Sequence, residues 1–314
     1  MHRKGHTTKR LGLTIVSVLA LVLLLPVILS NAVHAQQTLP TNKGLLVTPV
    51  RQYIDAVAGA PQAGSLTVGN FTDKPLTVTL SVEQFSVSDY AYEYLLSSSK
   101  TNMVQLSTPT VTIQKNENKK IPFTILAPPD TAPGGHYYTI LASASITEGG
   151  VSSKVQAGSP LYITVAGKHI TTNKLVGGSL QKFNIGASIP FTLDIRNTGN
   201  VHYFVYTSGV LSGFLAEQSV SSSSHIVLPN TTRRLNGSIP APLLPGVYKV
   251  TYGYKLEDKP PVGFEGYIIY TPVWSYILLL VVVWLIVHFV RRKKRRHAKA
   301  AAKEREAPLE RTDK

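Results

Sequence analysis

The sequence predicts an all-β protein, two tandem immunoglobulin-like β-sandwiches followed by one C-terminal transmembrane helix. Three observations predict it. Between Gln36 and Thr271, apolar and polar residues alternate in short runs separated by Pro, Gly, Asn and Ser, with no sustained helical period. The runs fall into two sets whose landmarks recur in the same order. A further apolar stretch, unbroken from Trp274 to Val290, is long enough as a helix to cross a hydrocarbon layer of about 30 Å.

The chain opens with a leader. Arg3, Lys4, Lys9 and Arg10 precede the apolar run Leu11 to Leu29, and Val33-His34-Ala35 places compact residues at a cleavage point before Gln36. Residues 1–35 therefore read as a secretory signal peptide.

The first sandwich is assigned to residues 43–166. Leu76, Val78, Leu80 and Val82 alternate with Thr77, Thr79 and Ser81, and Ile121, Phe123 and Ile125 and then Leu161, Ile163 and Val165 repeat the pattern. Such alternation is that of antiparallel strands with one face buried. The second sandwich, residues 167–270, repeats the first. Gly64 to Val78 and Ile189 to His202 both read as strand, Asn-centred turn and strand, with Asn70 and Asn197 at the turns. Val111 to Ile121 is echoed by Ile226 to Leu235, each carrying a basic pair, and Ala132-Pro-Gly-Gly by Leu244-Pro-Gly. Val165 to Ile170 contains no long Gly/Ser or Pro spacer, which implies a stiff two-domain rod.

The span, residues 272–290, is marked at both ends. Trp274 and Tyr276 supply an aromatic belt, and Arg291, Arg292, Lys293 and Lys294 open a basic cytoplasmic tail, residues 291–314. His288 lies one turn from that cluster and can snorkel to the interface. Of the net charge of +15, +4 sits in Met1 to Arg10 and +7 in Arg291 to Lys314, so the region between carries only +4. A nucleic-acid partner needs a basic face on the folded domain and is not expected. The distribution is that of membrane topology signals, and the ectodomain is expected outside.

Catalytic chemistry is not expected either. The chain has no cysteine, which removes thiol nucleophiles and disulfides together. His136, His169, His202 and His225 lie in four separate segments without a metal-ligand spacing, and no Gly-x-Ser-x-Gly elbow occurs. No cofactor or metal is called for. Leu228-Pro229-Asn230-Thr231 is similar to the start of a sortase signal, but Thr232 replaces its Gly and the segment lies inside the second sandwich. The candidate contact surface is Tyr90, Tyr92 and Tyr94, which on one strand face would form a flat platform for a sugar ring or a protein; packing of the same face on its own sheet is the competing reading.

Leu46-Val-Thr-Pro-Val50, the turn Asn70-Phe-Thr-Asp-Lys-Pro75, Val111 to Ile125 and Ala127 to Tyr137 resemble the peptidoglycan-binding domain of the WxL-interacting proteins of Gram-positive bacteria. The order leader, two sandwiches, span and basic tail is similar to that family as well. The resemblance implies a membrane-anchored cell-surface protein contacting cell-wall peptidoglycan, a surface protein partner, or both. The alternative is an accessory subunit of a membrane complex whose sandwiches act as a spacer.

Overall fold

The computed structural model describes residues 44–98, 103–148, 151–213, 216–221, 224–257 and 259–305. The leader, residues 1–35, and the last nine residues of the tail lie outside the described residues.

The described residues fold into four sheets and one helix. In the first sandwich, β1 (Leu45–Thr48), β3 (Pro61–Asn70), β8 (Asn118–Leu126) and β6 (Val104–Leu106) pair in the order β1-β3-β8-β6. The facing sheet runs β2-β10-β9-β4-β5, from β2 (Gln52–Ala56), β10 (Val151–Val165), β9 (Gly134–Glu148), β4 (Leu76–Val87) and β5 (Tyr94–Ser97), with β7 (Thr110–Ile113) also paired to β4. In the second sandwich, β11 (Asn173–Leu180), β13 (Ser188–Asn197) and β17 (Thr232–Pro240) face a sheet ordered β12-β19-β18-β14-β15. The latter comprises β12 (Phe183–Asn184), β19 (Val262–Tyr270), β18 (Gly246–Leu256), β14 (Tyr203–Gly213) and β15 (Ala216–Ser221), and β16 (His225–Val227) pairs with β14.

The two larger sheets therefore share one topology, including a short first strand paired parallel to the last, β2 with β10 and β12 with β19. That identity of path underlies the sequence repeat. In each sandwich the alternating apolar residues meet between the sheets. Leu66, Ile121 and Ile125 pack with Val78, Ile140 and Ile163 in the first, and Ile189, Phe191 and Ile195 with Val205, Val250 and Ile268 in the second. Burying each such side chain contributes about 1.5–3 kcal/mol before conformational entropy is subtracted.

The turn asparagines serve as hydrogen-bond hubs. Asn70 is fully buried, and its Nδ2 donates to the carbonyls of Lys74 at 2.8 Å and Ile113 at 3.0 Å while its Oδ1 accepts from the Thr72 amide and hydroxyl. Asn197 repeats the arrangement, donating to Val201 and Val227 carbonyls, both at 2.9 Å, and accepting from the Gly199 amide. A buried turn leaves backbone groups without water, and these amides satisfy them.

Thr271 and Pro272 connect β19 to the helix α1 (Val273–Arg305). Long and apolar enough to cross a membrane, α1 continues without a break through the basic cluster, where Ala, Lys and Arg are strong helix formers.

Candidate functional site: the sandwich junction and a free strand edge

The residues expected to form a tyrosine platform lie at the junction between the sandwiches, and they do not share a strand face. Only Tyr94 belongs to a strand. Tyr90 and Tyr92 sit in a turn with φ of 65° and 60°, so the alternation that suggested a strand is a coincidence of spacing. What holds the turn is a contact distant in sequence. The Tyr90 amide donates to the Thr232 carbonyl at 2.6 Å, the Arg234 amide donates back to the Tyr90 carbonyl at 3.2 Å, and the Asp89 carboxylate accepts the Thr232 amide at 2.6 Å. Tyr90 thus forms an isolated parallel bridge with Arg233, and a piece of the first sandwich is stitched onto β17 of the second.

The side chains follow. The Arg233 guanidinium lies 3.8 Å from the Tyr92 ring centroid, and that of Arg234 lies 5.1 Å from the Tyr90 ring while binding Asp194 with two hydrogen bonds of 2.7 and 2.8 Å. Beneath them a small core of Phe85, Val87, Tyr162, Ile226 and Leu228 draws on both sandwiches. Tyr162 is completely buried, and its hydroxyl meets that of Tyr94 at 2.7 Å. Around it stand Tyr53, Tyr137 and His202, with ring centroids 5.1 to 5.8 Å away. Burial pushes the phenols of Tyr92, Tyr137 and Tyr162 well above their usual range. It pushes His202 down to about 4 against the opposing pull of Asp55, so the imidazole is neutral at physiological pH.

The linker is fixed at the same place. Asn200 donates to the carbonyls of Pro133 at 3.1 Å and Lys168 at 3.0 Å, and accepts from the Ile170 amide at 2.7 Å. Gly134, with φ of 127°, brings the start of β9 so near that a Cβ there would lie 2.4 Å from the Asn200 carbonyl oxygen.

From this junction β10 runs outward. Its inner third, Leu161–Val165, pairs with β2, and buried Ser159 donates its hydroxyl to the Pro49 carbonyl at 2.8 Å, but among the described residues no strand pairs with that edge over Val151–Gly158. The β9–β10 hairpin also extends past β4, which stops pairing with β9 at Ser143. Val155 and Ala157 turn towards the core, whereas Lys154 and Gln156 face outward and help line a polar groove of about 690 Å3 with Thr79, Glu83 and Ser145. Where β2 begins, the Gln52 Nε2 is buried without a hydrogen-bond partner, and exposed Arg51 is held in its charged form by a hydrogen bond with Tyr53. Sequence reasoning did not find this edge, because a strand's pairing is not encoded in its own alternation. Trp274, Tyr276, Arg291, Arg292, Lys293 and Lys294 all lie on α1. Among the described residues, no group of three His, Asp or Glu could hold a metal ion.

No protein-family model matches the chain, and no curated protein matches it. It is similar to solved structures of fimbrial chaperones. One is the class 5 fimbriae chaperone CfaA, with a TM-score of 0.41 and 10% identity over 73% of this chain and all of the other. Another is from the CsuC–CsuE chaperone–tip adhesion subunit complex of Acinetobacter baumannii, with a TM-score of 0.36 and 18% identity over 61% of this chain and 89% of that one. The Escherichia coli chaperone DraB gives 0.33 and 13% over 72% and 96%. These findings overturn the resemblance to WxL-interacting proteins, and with it the peptidoglycan ligand and the Gram-positive assignment. The physical reason lies in the residues that carried the resemblance. Asn70, Val111, Ile121, Phe123 and Ile125 are buried, so they report a sandwich interior and carry no information about a surface ligand.

Proposed function

We propose that this chain is a membrane-tethered binding protein without catalytic activity, whose ectodomain takes an extended segment of a partner protein along the free edge of β10. The reading comprises immunoglobulin-like sandwiches at 43–166 and 167–270, a span at 272–290 with the ectodomain outside, and a cytoplasmic tail. The unpaired stretch Val151–Gly158 is the observation that carries it, because an exposed strand edge presents a row of backbone donors and acceptors that another chain can complete. A strand added there continues the line of β2, so its inner end meets exposed Arg51 and Tyr53. Tyr90 and Tyr94, each 43% exposed, offer additional contact area at the junction.

Amide hydrogen exchange tests it. In protein kept in its own membranes, those amides of Val151–Gly158 that point away from β9 should exchange at least tenfold more slowly than in the purified chain in lipid nanodiscs. Equal exchange overturns the edge as a binding site. A second reading, a brace within a membrane complex, is favoured by the Tyr90–Thr232 stitching and the Arg233–Tyr92 contact, which oppose bending between the sandwiches. It is the reading left standing by that outcome.

A further inference from the structure

The end of the second sandwich nearest the helix is apolar on its outside. Phe183, Ile269 and Val247 sit side by side in register on β12, β19 and β18, with 53%, 50% and 66% of their surface exposed. Beyond them the turn after β12 exposes Ile185, and the loop before β18 exposes Leu243 at 86% and Leu244 at 47%. The Ala241 amide, donating to the Ala187 carbonyl at 3.0 Å, ties that loop to that turn. Lys182 and Lys249 flank this surface, the latter paired with Glu265 of β19 at 2.7 Å.

The position of this surface identifies what covers it. Only Thr271 and Pro272 separate β19 from α1, so the helix begins at most about 11 Å from Tyr270. The Thr271 amide donates to the Asn184 carbonyl at 3.0 Å and its hydroxyl meets that of Tyr276 at 2.8 Å, which places the end of β12 beside the first turn of the helix. The polar interface of a bilayer is about 5–8 Å deep on each side. A sheet end tethered this closely reaches it.

We infer that this apolar end of the second sandwich docks on the outer leaflet of the membrane that α1 crosses, with Leu243, Leu244 and Ile185 in the interface and Phe183, Val247 and Ile269 against the headgroups. Exposed apolar surface of this kind is unfavourable in water and favourable at the acyl boundary. The inference rests on α1 being a membrane span. Docking at the sheet end turns a flexible tether into a fixed orientation of the ectodomain.

The cysteine-free chain allows single labels without background. Leu243→Cys, Val247→Cys, Val282→Cys in the helix and Thr77→Cys on β4, which also lines the polar groove beside Lys154 and Gln156, are each labelled with an environment-sensitive fluorophore. The full chain is reconstituted in phosphatidylcholine vesicles with one-fifth phosphatidylglycerol and quenched by spin-labelled lipid or by aqueous iodide. Lipid quenching at 243 and 247 that is at least twofold above that at 77, with 282 quenched as well, is the expected result. Quenching at 282 alone, with 243 and 247 open to iodide, overturns the docking and leaves the span. Shielding of 243 and 247 from both quenchers means a protein covers the surface and also overturns it. No lipid quenching at 282 removes the span, and the docking falls with it.

Discussion

The guanidinium of Arg233, in the second sandwich, lies 3.8 Å from the ring centroid of Tyr92, in the first. Burial lowers the Arg233 pKa, the nearby phenols opposing it, and the guanidinium also donates to the Ile226 carbonyl. A desolvated cation on an aromatic face contributes about 1–2 kcal/mol. A double-mutant cycle with Arg233→Ala and Tyr92→Leu, read by denaturant unfolding of the full chain, should therefore give a coupling energy of about that size. Arg233→Lys should recover only part of it, because a lysine cannot both stack and reach the carbonyl. Additive single effects would show that the pair does not hold the junction.

The turn hubs should be costly to remove. Asn70→Ala strands at least two buried carbonyls and the Thr72 donors, and Asn197→Ala strands the Val201 and Val227 carbonyls. Each unsatisfied buried group costs about 1–3 kcal/mol, so either variant should lose about 3 kcal/mol or more in urea unfolding. Lys74→Ala, in the same turn with its side chain exposed, is the comparison and should lose less than about 1 kcal/mol.

Stability should fall as the solution is acidified, through His202. An unfolded chain protonates this imidazole near its ordinary value of 6.5, whereas the folded junction resists until about 4. The unfolded state therefore binds the extra proton across that interval, and stability declines from about pH 6.5 down to about pH 4, by roughly 3 kcal/mol at the acid end. Urea midpoints at pH 7.5 and pH 4.5 measure it. In His202→Phe the drop between them should shrink by most of that amount.

Glycine substitutions separate two kinds of position. Gly134→Ala forces a Cβ to within 2.4 Å of the Asn200 carbonyl oxygen at a positive φ, and should cost about 2 kcal/mol or more. Gly263→Ala in β19 meets only a Thr251 methyl group at 3.9 Å and should change stability by less than about 0.5 kcal/mol. Thermal unfolding of the two variants side by side distinguishes them.

The strands and their burial were legible because alternation is a local property. Leu76 to Val82, Ile121 to Ile125 and Ile189 to Ile195 place their apolar residues inside, as their period requires. The repeated asparagines were legible too, since a polar residue at the same point of two apolar frames has a structural task. Tyr90 to Tyr94 misled because period two was satisfied over only three residues, and the deciding partner, Arg233, lies more than a hundred positions away. A trace of it was present. The basic pair Arg233-Arg234, noticed as a landmark of the repeat, is what the tyrosines bind. The β10 edge left no such trace, because an absent neighbour has no residue to read.

The direct passage from β19 into α1 also sets how the two sandwiches bear load. On the proposed reading, tension between a membrane crossed by α1 and a partner on β10 would enter the second sandwich at Tyr270 and act along the strand axis, since Ser188 and Pro240 lie at the helix end of their strands and Asn197 and Thr232 at the junction. Nine residue pairs join β19 to β18, and β12 clasps the loaded end from the other side. Pulled lengthwise, this ladder is strained in shear, so its hydrogen bonds must yield together. A sideways pull would peel them one after another, and the chain's own geometry directs the force away from that weaker mode.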